Sequence, residues 1–69
     1  MAYGFIFQNN DRPDIVFEDG TIRGGLHCGD CIELYIGKWT AARIEYDDGW
    51  LVVIHGKKHP IPYGSRCKE

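Results

Sequence analysis

The fold is decided by a stretch in the second half of the chain, residues 31–54, with the sequence CIELYIGKWTAARIEYDDGWLVVI. Ile32, Leu34 and Ile36 alternate with residues that point the other way, which is the period-2 pattern of a half-buried strand. Two further strand-like runs follow, joined by Asp47-Asp48-Gly49, and an Asp-Gly pair suits the positive φ angles of a tight hairpin. This stretch therefore predicts three antiparallel strands in a meander.

The N-terminal part of the chain predicts a hairpin within residues 1–20. Tyr3, Phe5 and Phe7 alternate with smaller or opposed residues, and the turn-forming segment 9–14 separates them from the apolar run 15–17. The chain also carries nine Gly and three Pro, which favour short strands over long helices.

Chain length limits how these strands can be arranged. Sixty-nine residues are too few for two large sheets, and a small open sheet would leave long edges exposed. No stretch has the i, i+3, i+4 apolar spacing of a helix. We therefore expect one all-β domain, residues 1–69, folded as a small SH3-like β-barrel of five to six short antiparallel strands. Residues 1–20 would form its N-terminal hairpin, and residues 21–69 the barrel with its central meander.

Composition and motifs exclude several classes of function. Eight Lys and Arg against ten Asp and Glu give a net charge of -2, unlike a strongly basic nucleic-acid binder or an acidic disordered tail. The N-terminus lacks the pattern of a secretory signal, and the longest apolar run, residues 50–54, is far shorter than the about 20 residues of a membrane helix. No catalytic motif is present, and Ser65 is the only serine. We expect a cytoplasmic, non-enzymatic protein without a membrane segment.

Four segments together resemble a known but uncharacterised family. They are Leu26 to Leu34, Gly37-Lys38-Trp39, Ala42 to Tyr46 and Gly49 to Val52. In this order they look like a domain family of small proteins in Firmicutes, their phages and mobile elements, and the resemblance covers about residues 20–67. It implies an SH3-like barrel and a mobile-element setting, and it implies no catalytic residue.

The main functional hypothesis is a protein-interaction face. If the alternating isoleucines and leucines fill the interior, Tyr35, Trp39 and Arg43 lie on the other side of the sheet, together with more large apolar groups than water tolerates well. Aromatic residues and Arg are typical of interface centres. We expect binding of a protein partner or self-association, with the N-terminal hairpin covering part of this face, in an accessory protein of a phage or mobile element.

The alternative hypothesis is binding of single-stranded DNA or RNA. Residues 37–69 contain six basic against four acidic residues, and small barrels often combine cations with stacking aromatics. The residues that would contact nucleic acid are Lys38, Arg43, Lys57, Lys58 and Arg66.

A lesser alternative is a structural zinc site, although no cofactor is expected in the main hypothesis. Cys28 and Cys31 are a Cys-x2-Cys pair, and His55 and His59 are a His-x3-His pair, so the four could form a Cys2His2 site with His27 or Cys67 as substitutes. The 23 residues between Cys31 and His55 exceed the usual spacing of a zinc finger. The Cys pair also leads directly into a strand, which disfavours a redox site.

Overall fold

The computed structural model describes residues 2–69 and consists of strands, turns and loops. Within those residues no helix has the length and apolarity needed to cross a bilayer. The strands, in chain order, are β1 Tyr3–Asn9, β2 Arg12–Phe17, β3 Ile22–Arg23, β4 Cys31–Tyr35, β5 Trp39–Tyr46, β6 Trp50–Ile54, β7 Lys57–His59 and β8 Arg66–Lys68.

All eight strands belong to one antiparallel sheet with the order β3-β2-β1-β8-β4-β5-β6-β7. The N-terminal hairpin, β1 and β2, pairs Ile6 with Ile15, and the meander runs from β4 to β7. The last strand in sequence lies between these two units, because Cys67 of β8 is opposite Gly4 on one side and Leu34 on the other. A short C-terminal strand thus joins the two parts of the sheet.

The core lies on one face of this sheet. Its members come from strands across the whole width of the sheet and from two loops, and they form one cluster: Ile6, Ile15, Leu26, Ile32, Leu34, Ala42, Ile44, Val52, Ile54, Ile61 and Cys67. Within residues 2–69 neither a helix nor a second sheet covers them. Side chains from distant strands can be buried in one cluster only if the sheet curves around its own inner face.

The all-β antiparallel prediction is confirmed, but the predicted closed barrel of five to six strands is wrong. The sheet has eight strands and is open, since β3 and β7 each pair with a single neighbour. These two end strands have two and three residues, too few to show an alternating pattern in the sequence. The turn before β7 is also unusual, because His55 adopts a positive φ of 52° next to Gly56 at 75°.

The prediction that Ile36 fills the interior is also wrong. Ile36 is 42% exposed, although Ile32 and Leu34 are buried as expected. The alternation stops because the chain reverses here: the Ile36 N–H donates to the Lys38 carbonyl at 3.1 Å, and Gly37 has a φ of 85°. Ile36 therefore belongs to a turn and no longer follows the pleat of β4.

Gly4 lies where the backbones of β1 and β2 approach each other closely. It is buried between Phe17 and Cys67 in the pairing of three strands, and a Cβ atom there would lie 2.3 Å from the Val16 carbonyl oxygen. Atoms cannot share that space, so any side chain at Gly4 would displace backbone.

Replacing Gly4 by Ala is expected to lower the free energy of unfolding by about 2 kcal/mol, the cost typical of overpacking a filled interior. Urea denaturation followed by tryptophan fluorescence measures this decrease. Gly24→Ala is the matched control, because a Cβ at Gly24 would meet only Asp14 Oδ2 at 3.9 Å, an ordinary contact. Equal denaturation midpoints for the two variants would contradict the predicted steric conflict.

Candidate functional site

The outer face of the sheet, opposite the core, presents an aromatic cluster that we define as Tyr3, Tyr35 and Trp39. Tyr35 and Trp39 are register partners at the β4–β5 turn, and their rings meet edge to face with centroids 5.3 Å apart and planes at 75°. Tyr3 of β1 approaches Trp39 from the other side, at 5.8 Å and 62°. These are the separations and angles that aromatic rings prefer, since the positive edge of one ring meets the negative face of the next.

The N-terminal hairpin covers this cluster only in part. Tyr3 packs against Trp39, which is half-buried as a result, but Tyr35 is 48% exposed and Phe5 43%. The expectation that β1 would shield some of the outer face is therefore met by one residue, Tyr3. A ring edge and several aromatic faces stay in contact with solvent.

A lysine that the sequence hypothesis did not include completes the cluster. The Lys68 ammonium lies 4.4 Å from the centre of the Trp39 ring and 5.8 Å from that of Tyr3, within range of cation–π attraction. Lys68 also faces Glu33 at 3.9 Å. No sequence pattern connects residues 3, 39 and 68. Only the position of β8 between β1 and β4 brings them together.

Arg43 is on the same face but outside the aromatic cluster. It follows Trp39 by four residues along β5, roughly 13 Å in an extended strand, and its Nε donates to Glu45 at 2.6 Å. It lines a shallow depression of about 400 Å³ with Cys31, Val53 and other residues. Of the three predicted contact residues, the structure therefore brings Tyr35 and Trp39 together and places Arg43 apart.

Most basic side chains of the outer face and its borders are already paired with acids. Among residues 2–69, five of the eight basic residues form ion pairs, namely Arg23, Arg43, Lys58, Arg66 and Lys68. The Lys58–Asp47 pair has a separation of 2.5 Å, and the hydrogen bond from Lys58 lowers the pKa of Asp47. Of the residues proposed to contact nucleic acid, Lys38 and Lys57 have no ion pair within the described part of the chain.

The candidate zinc ligands are scattered. Cys28 lies in the loop before β4, Cys31 begins β4, His55 is in the β6–β7 turn and His59 ends β7, and all four are exposed. No group of three or more His, Cys, Asp or Glu side chains within residues 2–69 is arranged to hold a metal ion. The hypothesis of a Cys2His2 site is thus not supported, and the four residues are explained by turns and strand ends.

Cys67 differs from the other two cysteines because it is buried in the core. Burial raises the pKa of its thiol to about 11, and the nearby Glu69 charge adds to this increase. The thiolate is the reactive form, so Cys67 should be inert in the folded protein at neutral pH.

Titration with Ellman's reagent at about pH 8 is expected to modify Cys28 and Cys31 quickly and Cys67 only after a denaturant is added. Unfolding exposes Cys67 and returns its pKa toward the ordinary value, so its thiolate becomes available. Cys67→Ser should remove the slow, denaturant-dependent equivalent and leave the two fast ones. Three fast equivalents in the native wild-type protein would show that Cys67 is not protected.

The fold and the outer face define a small, all-β domain with an open antiparallel sheet. Residues 6–67 match the family described as a domain of unknown function, DUF5348, and the chain belongs to this family. The match includes β1 and β2, which lie outside the residues 20–67 that the sequence resemblance covers.

One solved structure supports the same relationship. A crystal structure of a protein from Ruminococcus gnavus is 31% identical to this chain, covers 97% of it and 99% of its own length, and has a TM-score of 0.79. Its source agrees with the expectation of relatives in Firmicutes. No curated protein matches the chain.

Proposed function

We propose that this protein is a non-enzymatic interaction module that binds a protein partner through the aromatic cluster of its outer face. The observation that carries this proposal is the edge-to-face contact of Tyr35 with Trp39 at the open end of the β4–β5 hairpin, with Tyr35 48% exposed. Tyr3 and Phe5 continue the same apolar surface on β1.

The physical argument for a protein partner rests on what this surface gains from burial. Tyr and Trp are enriched among the residues that contribute most to binding, because they remove much apolar area from water at a low cost in side-chain entropy. Trp39 is held in place by two neighbouring rings and by Lys68, so little further ordering is needed on binding. A prearranged cluster of this kind suits a contact that does not depend on long-range charge.

Two finer parts of the hypothesis stay predictions. A relationship to SH3-like domains would explain binding through an exposed aromatic surface, since such domains hold extended peptides on aromatic-lined grooves. A role as an accessory protein of a phage or mobile element, in the cytoplasm, rests on the family resemblance of the sequence.

Tyr35→Ala is expected to reduce capture of the partner at least about tenfold, as removal of a residue central to an interface does. The measurement is quantitative capture from a lysate of the source organism on immobilised protein, with identification of the captured chain by mass spectrometry. Trp39→Ala should have the same effect. Capture by the wild type should persist as salt is raised, because apolar contacts are not screened.

Tyr46→Ala is the matched control for this experiment. Tyr46 is a tyrosine of similar exposure, 56%, that makes the same kind of edge contact with a tryptophan, Trp50, at 5.1 Å. Loss of capture with Tyr46→Ala equal to that with Tyr35→Ala would contradict a specific role of the aromatic cluster. A wild-type dimer in sedimentation that Tyr35→Ala converts to a monomer would identify the partner as a second copy.

Binding of single-stranded nucleic acid through Lys38, Lys57 and neighbouring basic residues is the alternative proposal. It is supported by the two lysines that have no ion pair within residues 2–69, and weakened by the pairing of Arg43, Lys58 and Arg66 with acids. If it holds, replacing Lys57 and Lys58 by Ala should lower the slope of log affinity against log salt by about one unit for each phosphate that these lysines neutralise. Fluorescence anisotropy with labelled single strands measures this. Absence of salt-sensitive binding at low ionic strength would refute the alternative.

A further inference from the structure

A second surface lies on the inner face of the sheet, away from the aromatic cluster. Here the exposed Ile36, the nearly buried Ile54 and Ile61, and Pro60 and Pro62 line an open apolar groove of about 640 Å³. We call this surface the proline groove. Its volume is within the range of sites that bind ligands.

The proline groove exists because the sheet does not close. β7 is an end strand with β6 as its only sheet neighbour, and the chain after β7 crosses the inner face through Pro60-Ile61-Pro62. The two prolines restrict the backbone of this crossing segment, so the groove wall is preformed. Ile36 extends the groove from the opposite side because the β4–β5 turn takes it out of the core.

The rim of the groove has a single sign of charge. Lys57, His55 and His59 line it, and none of the chain's ten acidic residues does. Lys57 has no ion pair within residues 2–69, whereas the adjacent Lys58 points to the outer depression and pairs with Asp47. The groove thus combines an apolar floor with an ammonium and two imidazoles that can donate to carboxylate oxygens.

We propose that the proline groove binds a short acidic segment of a partner protein, in which a large apolar side chain is flanked by carboxylates. The apolar side chain fills the space between Ile36 and Ile61, and the carboxylates meet Lys57 and the histidines at the rim. A second copy of this chain fits less well at the same edge, because a symmetric contact would place Lys57 and Lys58 against their own counterparts, and like charges on facing strands repel.

The test uses fluorescein-labelled octapeptides in which Leu, Ile or Phe are flanked by Glu, with fluorescence anisotropy as the readout. The expected result is saturable binding that disappears when Glu is replaced by Lys, or when the apolar residues are replaced by Ser. Lys57→Glu in the protein should weaken binding at least about tenfold, as a change at a central interface residue does. Lys58→Glu is the matched control and should change the affinity less than about twofold, since Lys58 faces the other side of the sheet.

The apolar part of the groove is tested by Ile36→Ser, which should weaken binding at least about fivefold. Ile22→Ser is its control, because Ile22 is an exposed isoleucine, at 58%, on the opposite end strand β3. Both positions are on the surface, so neither change should prevent folding. Tyr35→Ala should leave peptide binding unchanged, which separates this proposal from that for the aromatic cluster.

Amide chemical shifts identify where the peptide binds. The proposal expects changes concentrated in residues 54–62 and at Ile36. It is overturned by the absence of saturable binding up to about 1 mM peptide, by equal weakening with Lys57→Glu and Lys58→Glu, or by shifts centred on Trp39. Formation of a dimer that Ile36→Ser abolishes would assign the groove to a second copy and would equally overturn it.

Discussion

The structure depends on the insertion of β8 between β1 and β4. Cys67 is fully buried at the centre of this contact, and hydrogen bonds beyond the paired residues continue the ladder: the amides of Ala2 and Glu69 each donate to the other's carbonyl at 3.1 Å. Gly64 donates to the Ile6 carbonyl at 2.7 Å at the other end. Without this three-residue strand the N-terminal hairpin and the meander would be two separate edges. Their inner faces would have no common core.

The same insertion creates both candidate surfaces. On the outer face, β8 brings Tyr3 and Lys68 against Trp39, which turns a pair of aromatic residues at one hairpin into a cluster contributed by three strands. On the inner face, the chain must pass from β7 back across the sheet to reach β8, and this passage forms the wall of the proline groove. A protein of 69 residues thus presents two chemically different surfaces on opposite sides of one sheet.

Charge distribution separates the two surfaces further. The net charge of -2 hides a pattern in which most cations of the outer face have an acidic neighbour, so that surface is close to neutral locally. Lys57 at the inner face has none within the described residues. The expectation from sequence that residues 37–69 form one mildly basic surface does not hold, because acids from the first half, Glu18 and Glu33, approach Arg66 and Lys68 in the folded chain.

The sequence by itself determined the antiparallel all-β class, the meander and which residues of β4, β5 and β6 face the core, because alternation is a local property of an extended chain. Tyr35 and Trp39 could likewise be placed on the outer face. Closure, strand number and the position of Ile36 could not be derived, since end strands of two or three residues carry no periodic signal and a turn can end the alternation at any residue. Only the tertiary structure decided that residues 3, 39 and 68 meet, because contacts so distant in sequence are set by the pairing of β8.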